Sequence, residues 1–247
     1  MRGPWDVARH LGVSWDIIKD IQKRNLRRRF GKPKLKNLKE IAIDEVAIGK
    51  GHRYFTLVLD LVSGAVVYVG DGKGVQALTA FWRRLRASHA KIRAVATDMG
   101  RPYIRAVREH LPRAVHVFDH FHVVKLFNDK LSAFRRELYA NLTDEQQRLQ
   151  EALDLNMTLT VVYNFKEDLR QIWRQPDKAT ARRVLNDWIR RARATGISML
   201  VQFALLLTAH RKGILGYYDY RISTGPLEGL NNKIQTMKRQ AYGFRDM

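Results

Sequence analysis

Between residues 40 and 122 the apolar positions recur in short runs with a period near two. EIAIDEVAI reads as a strand, and RYFTLVLDLV and AVVYVGD as two more, joined at Ser63-Gly64, a hairpin turn signal. VQALTAFWRRLRAS reads as an amphipathic helix with Leu78, Phe81, Trp82 and Leu85 on one face. KIRAVATDM reads as a buried strand, YIRAVREHL as a helix and AVHVFDHFH as a fifth strand. Three strands able to form an antiparallel meander, then helix–strand–helix–strand, predict a mixed α/β sheet.

From 123 to 216 the period lengthens and the pattern is helical throughout. Thr143 and Gln146 give a capping-box signature, and Ala181, Val184, Leu185, Trp188, Ile189 and Ala192 trace one apolar face. So long a run is too large for a connection and reads as a helical insertion. RISTGPLEGLNNKIQTMKRQAYGF closes the chain, with a turn expected at Gly225-Pro226 and then a basic helix.

At the other end, PWDVARHL and WDIIKDIQKRNLRRR flank a GVS turn, with Ala8, Gly12 and Ile18 at the spacing of a helix-turn-helix. Ser14 is the expected N-cap of the second helix. GKPKLKN marks a linker. The expected organisation is a helix-turn-helix DNA-binding segment at 1–30 and a linker at 31–39. The first part of the sheet domain follows at 40–122, the insertion at 123–216 and a C-terminal helix region of the same domain at 217–247.

Composition adds a partner class. The 247 residues hold 45 Lys and Arg against 24 Asp and Glu, a formal charge of +21. Such an excess on a chain rich in apolar residues predicts a folded protein with a polyanionic partner. Cysteine is absent, which excludes disulfide scaffolds, thiolate nucleophiles and zinc fingers. No apolar run reaches the roughly 18 residues of a membrane span, and the N-terminus lacks a signal peptide's apolar stretch. A cytoplasmic protein with no membrane partner is expected.

Against this basic background three acids stand out. Asp44 falls within the first strand, on the face opposite Ile41 and Ile43, where an unpaired carboxylate carries a desolvation cost. Asp98 ends the fourth strand, at the edge where ligands gather in α/β sheets. Glu228 opens the last helix, where the helix dipole alone also favours an acid. Hard oxygen donors on a cationic protein suit Mg²⁺ or Mn²⁺ chemistry on phosphates. Two-metal phosphoryl transfer needs acids from different elements meeting at one sheet edge. Glu45 alternates away from Asp44, and Asp60 reads as a turn or ion-pair residue. Trp173 and Trp188 read as core.

IAIDEVAIGKGHRYFTLVLDLVSGAVVYV, VATDMGRPYIRAV, VFDHFHVVKLFND and RISTGPLEGLNNKIQTMKRQAYGFRD, in that order, carry a more specific signal. From about residue 40 onward the chain resembles the DDE transposases of bacterial insertion sequences, specifically the ISL-three group. The resemblance implies an RNase H-like mixed sheet with an all-helical insertion, preceded by a small helix-turn-helix. It implies Asp44, Asp98 and Glu228 as catalytic, metal-holding acids, spaced by 54 and 130 residues, with two Mg²⁺ or Mn²⁺ ions. Asp119 and His122 match an Asp-x-x-His motif that organises the site or contacts DNA; a packed strand-end histidine is the other reading of His122. Lys23, Arg24, Arg27, Arg28 and Arg29, and Asn231, Asn232, Lys233, Lys238 and Arg239, are the expected DNA contacts. Arg245 extends the second stripe, and Lys50 and His52 either touch DNA or sit on an exposed hairpin.

The implied function is metal-dependent cleavage and strand transfer of an insertion sequence. The implied partner is double-stranded DNA, both element ends and target, handled by a homo-oligomer in the bacterial cytoplasm at the nucleoid. Two departures keep other readings open. Relatives carry an N-terminal Cys-rich zinc module that this sequence lacks, and they continue briefly beyond GFRDM. A truncated, inactive transposase acting as a DNA-binding repressor is one alternative. A stand-alone structure-specific nuclease of the same fold is the other.

Overall fold

The computed structural model of the chain describes residues 4–31, 33–48, 53–140 and 148–240. Two compact units result, 1–35 and 36–247. In the first, helices α1 (Pro4–Leu11) and α2 (Trp15–Arg29) are joined by a turn in which Gly12 takes φ +65°. Its buried apolar residues, among those described, are Ala8, Ile18 and Leu35. Ser14 occupies the N-cap position of α2, but its side chain makes no capping bond; its carbonyl accepts from Ile17 instead.

The second unit is built on a five-stranded mixed sheet of order β3-β2-β1-β4-β5. β1 (Glu40–Ala47), β2 (Tyr54–Asp60) and β3 (Val66–Asp71) form the expected antiparallel meander. Asp60 serves the β2–β3 turn, accepting from Val62 N and Ser63 Oγ. β4 (Ala94–Thr97) and β5 (Val115–Phe118) run parallel to β1. Helix α3 (Thr79–Ser88) follows a 3₁₀ turn at Val75–Leu78, and α4 (Arg101–His110) connects β4 to β5.

The register assigns the two faces. Ile43 pairs with Val58, and Val58 with Tyr68, whose ring packs on Phe81 of α3. Glu45 shares that face and accepts from Tyr103 of α4 at 2.5 Å. Helices α3 and α4 thus cover the odd-numbered face of β1. The even-numbered face, with Ala42 and Val46, packs with Leu57, Leu59, Ala94, Ala96, Val117 and Leu227. Leu227 belongs to α9 (Gly225–Gln240).

Between β5 and α9 lie α5 (His120–Ala140), α6 (Arg148–Gln171), α7 (Lys178–Ala194) and α8 (Ser198–Leu215). Their core includes Phe127, Val162, Leu169, Leu185, Trp188, Leu200 and Phe203, and it continues onto Phe118 of β5. Trp188 is fully buried and donates its indole N–H to the Phe165 carbonyl at 2.9 Å. Asp177 starts α7 by accepting from Thr180 N at 2.9 Å. Trp173 is half-buried against the same core.

Two sequence expectations are corrected. The fifth strand ends at Phe118 rather than running through His122, because the Asp119 side chain accepts from Phe121 N and turns the chain into α5. His122 is therefore a first-turn helix residue, and the strand-end reading falls. Gly225 and Pro226 form the first turn of α9 instead of a separate turn, as suits a proline that needs no N–H there. Thr143, Gln146, Lys50, His52 and Arg245 lie outside the described residues.

α8 reaches β5 only because position 213 is glycine. A Cβ there would lie 2.3 Å from Phe118 Cδ2. Gly213→Ala is expected to lower unfolding stability by about 1–3 kcal/mol through overpacking. Urea denaturation checks this, and a stability equal to the parent's would mean the helix is not held that tightly.

Candidate active site

The parallel register brings three acids to one end of the sheet. Ala42 pairs with Ala96, and Ala96 with Val117. Two positions further along the same face come Asp44, Asp98 and Asp119. Asp44 is in β1, while Asp98 and Asp119 immediately follow β4 and β5. Glu228 reaches this end from the first turn of α9.

Each acid is held differently. Asp44 accepts from the Glu45 backbone N–H at 2.8 Å. Asp98 accepts from Gly100 N at 2.9 Å, and a Cβ on Gly100 would stand 2.9 Å from the Asp98 carboxylate, so glycine lets the chain turn tightly here. Asp119 is 1% exposed. One of its oxygens accepts from Phe121 N at 3.0 Å, capping α5. The other accepts from both the backbone N–H, at 3.1 Å, and the hydroxyl of Thr224. The Thr224 carbonyl in turn accepts from Leu227 N at 2.8 Å and Glu228 N at 3.1 Å. Asp119 thus joins the starts of two helices 105 residues apart, and Thr224 passes that anchor to Glu228.

His122 Nδ1 lies 3.5 Å from the Asp119 carboxylate and 3.4 Å from Thr224 Oγ1. Its pKa is raised, first by the Asp119 bond, against burial, and further by the charges of Asp44, Asp119 and Asp98. Burial works to raise the Asp119 pKa, but the bonds from His122, Thr224 and Phe121 outweigh it and hold the carboxyl below its ordinary range. Asp44 behaves oppositely. Burial raises its pKa to about 6; the Glu45 N–H and His122 pull down, and the charges of Asp98 and Glu228 push up. Asp44 therefore senses both other acids singled out in the sequence.

Among the described residues, the ligand atoms of Asp119, His122 and Glu228 lie within 4.8 Å of one another, close enough for one cation. Asp44 and Asp98 stand outside that tightest group. An accumulation of carboxylates in which burial and like charge penalise Asp44 fits a hard divalent cation.

Glu45 points away from the acids, as alternation predicts, and is held by Tyr103, Gly74 N and Lys73. Asn231 donates to the Glu45 carbonyl at 3.4 Å and ties α9 to β1. Asn232 and Lys233 are exposed one turn beyond Glu228; Lys238 and Arg239 lie further along α9. Lys23, Arg24, Arg27, Arg28 and Arg29 are exposed on α2, in the first unit. Thr224 is the residue that sequence reasoning missed. Its only signal was a hydroxyl residue just ahead of a helix, which ordinarily caps its own helix.

A protein family described as transposase matches residues 41–144 and 138–247. The chain belongs to the ISL-three group of DDE transposases. It is 33% identical over 267 residues to the transposase of insertion sequence element IS1001 of Bordetella parapertussis, covering 97% of this chain and 66% of that relative. It is 27% identical over 256 residues to the transposase of insertion sequence element IS1557 of Mycobacterium tuberculosis, covering 85% of this chain and 57% of the relative. The chain thus spans less than two thirds of the length of these curated relatives.

Two outcomes follow for this transposase-family site. Thr224→Val keeps the side chain's shape but removes a donor from a buried carboxylate, and is expected to cost about 1–3 kcal/mol, while Thr224→Ser stays near the parent. Equal melting curves for Val and Ser would remove the hydroxyl from the anchor. For Asp44, a folded pKa of about 6 above the ordinary 3.8 means that the folded chain binds more protons between these values. The Asp44 contribution to metal-free stability, read as the difference between the parent and Asp44→Asn, should therefore fall as pH rises from about 4 to 6 and then level off. Asp44→Asn should remove that fall and exceed the parent at pH 7 by roughly 3 kcal/mol in the presence of chelator. A variant less stable than the parent at pH 7 would contradict the stated burial cost.

Proposed function

We propose that this chain carries the reaction centre of a DNA transposase, on an RNase H-like domain into which α5–α8 are inserted. Asp44, Asp98 and Glu228 would hold two divalent cations, Mg²⁺ or Mn²⁺. One observation carries this reading: Asp44, on a core strand, lies within reach of the charges of both Asp98 and Glu228, acids 54 and 184 residues further along the chain. The β3-β2-β1-β4-β5 sheet, with its acids at the end of the parallel strands, supports the RNase H-like reading.

The chain's own residues divide the work. Asp44, Asp98 and Glu228 offer hard oxygen donors from three separate elements. Asp119, whose oxygens are already occupied by Thr224 and Phe121, positions the start of α9 and holds His122. Bound cations would supply Lewis-acid activation of the attacking oxygen and stabilise charge on the leaving one. The α2 segment, read as a helix-turn-helix, binds double-stranded DNA through Lys23, Arg24, Arg27, Arg28 and Arg29. Asn231, Asn232, Lys233, Lys238 and Arg239 track phosphates beside Glu228. Water adds across a phosphodiester at the element end, breaking the P–O3′ bond and freeing a 3′-hydroxyl. That hydroxyl then forms a P–O bond to target DNA as a target P–O bond breaks. A homo-oligomer brings two ends together, in the bacterial cytoplasm.

The test is a strand-transfer assay with Mg²⁺. Asp44→Asn, Asp98→Asn and Glu228→Gln should each lose about 100-fold or more in joined product, as expected when a charge preorganised for the reacting centre is removed. DNA retention in gel shift should persist. Undiminished joining by Asp44→Asn would remove that residue from the reaction.

A further inference from the structure

A second charged region lies beside the edge strand β5, towards the start of that strand. Val115 and Val117 share the face of Ala96, so His116 and Phe118 point to the other side. There a cavity of about 410 Å³ opens between α4, the start of β5 and the end of α8. Its walls include the apolar Ile104, Val107 and Leu111, and it is lined as well by Arg108, Arg113, Lys178 and Lys212. An adjoining concavity shares Lys178 and Lys212 and adds Arg182 and Arg211. Six cations thus line one continuous depression.

Little within the protein answers this charge. Among the described residues, Asp219 is the only acid lining either cavity, and it pairs with Lys178. Among the described residues, the other five cations form no ion pair. Arg211 buries its Nε with no hydrogen-bond partner. The local field acts on the histidines too. Burial, then Arg108 and His210, lower the His116 pKa to about 4, and burial with Arg101 lowers that of His210. Both shifts favour the neutral imidazole in surroundings that are already cationic.

We propose that this basic depression binds the phosphodiester backbone of a second DNA segment, distinct from the one the acids act on. The proposal rests on the transposase reading for its ligand. Cations spread along two adjoining concavities suit a line of phosphates better than one compact anion. Strand transfer brings two DNA segments to the acids, and a grip on the backbone of one of them, away from the reacting phosphodiester, holds it while the acids engage the other. Binding of this kind draws on counterion release and is read as a salt dependence.

The experiment uses the full chain and counts DNA duplexes bound per protein at saturation, by titration with a short duplex. The Arg108→Gln/Arg113→Gln/Lys212→Gln variant changes exposed side chains only. Arg83→Gln/Arg86→Gln/Lys91→Gln, also exposed, removes the same charge elsewhere and serves as the control. The cavity variant is expected to bind one duplex fewer than the parent, and its slope of log K against log salt to fall by about 2–3. The control should keep the parent's count. An unchanged count in the cavity variant, or an equal loss in the control, overturns the proposal. Asp44→Asn should keep the parent's count, so failure of the reaction-centre reading shows in strand transfer and failure of this proposal in the duplex count.

Discussion

Like charge concentrated at a partly buried end of a sheet is the constraint on which the rest depends. Asp44 sits on a strand whose neighbours Ala42 and Val46 are core residues, and its ionised form is penalised by burial and by Asp98 and Glu228. A protein gains nothing in stability from that arrangement. It persists because the surrounding structure fixes the acids regardless, which is the usual mark of a site kept for chemistry. Among the described residues, the groups beside the acids are His122 and His120 rather than the lysines and arginines that make up the cationic excess of the chain.

The device that holds the arrangement together is Asp119. It caps α5 with one oxygen and grips Thr224 with the other, so the end of β5 and the start of α9 move as one. Without it, Glu228 would depend for its position on a helix that leaves the sheet after a long helical excursion. That excursion is anchored independently: α8 lies against β5 through Gly213 and Phe118, and the Trp188 core extends from there. The helices α5–α8 therefore return the chain to the sheet at a defined place, and the Asp119 carboxylate completes the alignment.

Much of this was legible in the sequence, for local reasons. The alternation around Asp44 fixed its face, and the same alternation sent Glu45 to Tyr103 on the other side. Strand and helix order followed from the change of period. What was misread depended on side-chain bonds. VHVFDHFH continues a strand-like pattern, and only the Asp119 cap stops it. The role of Thr224 was invisible because its partner is 105 residues upstream, and no periodicity carries such a contact. Ser14 failed in the opposite sense: it has the right residue type and position for a cap but makes no side-chain bond.

The central claim is that Asp44, Asp98 and Glu228 surround one place that accepts a divalent cation. Loading the protein with Fe²⁺ and adding ascorbate and peroxide cuts the backbone close to the bound ion. The account predicts cuts near residues 44, 98 and 228, with further cuts around 119–122, all suppressed by excess Mg²⁺. Cuts confined to one of these segments, or a pattern that Mg²⁺ leaves untouched, would contradict it.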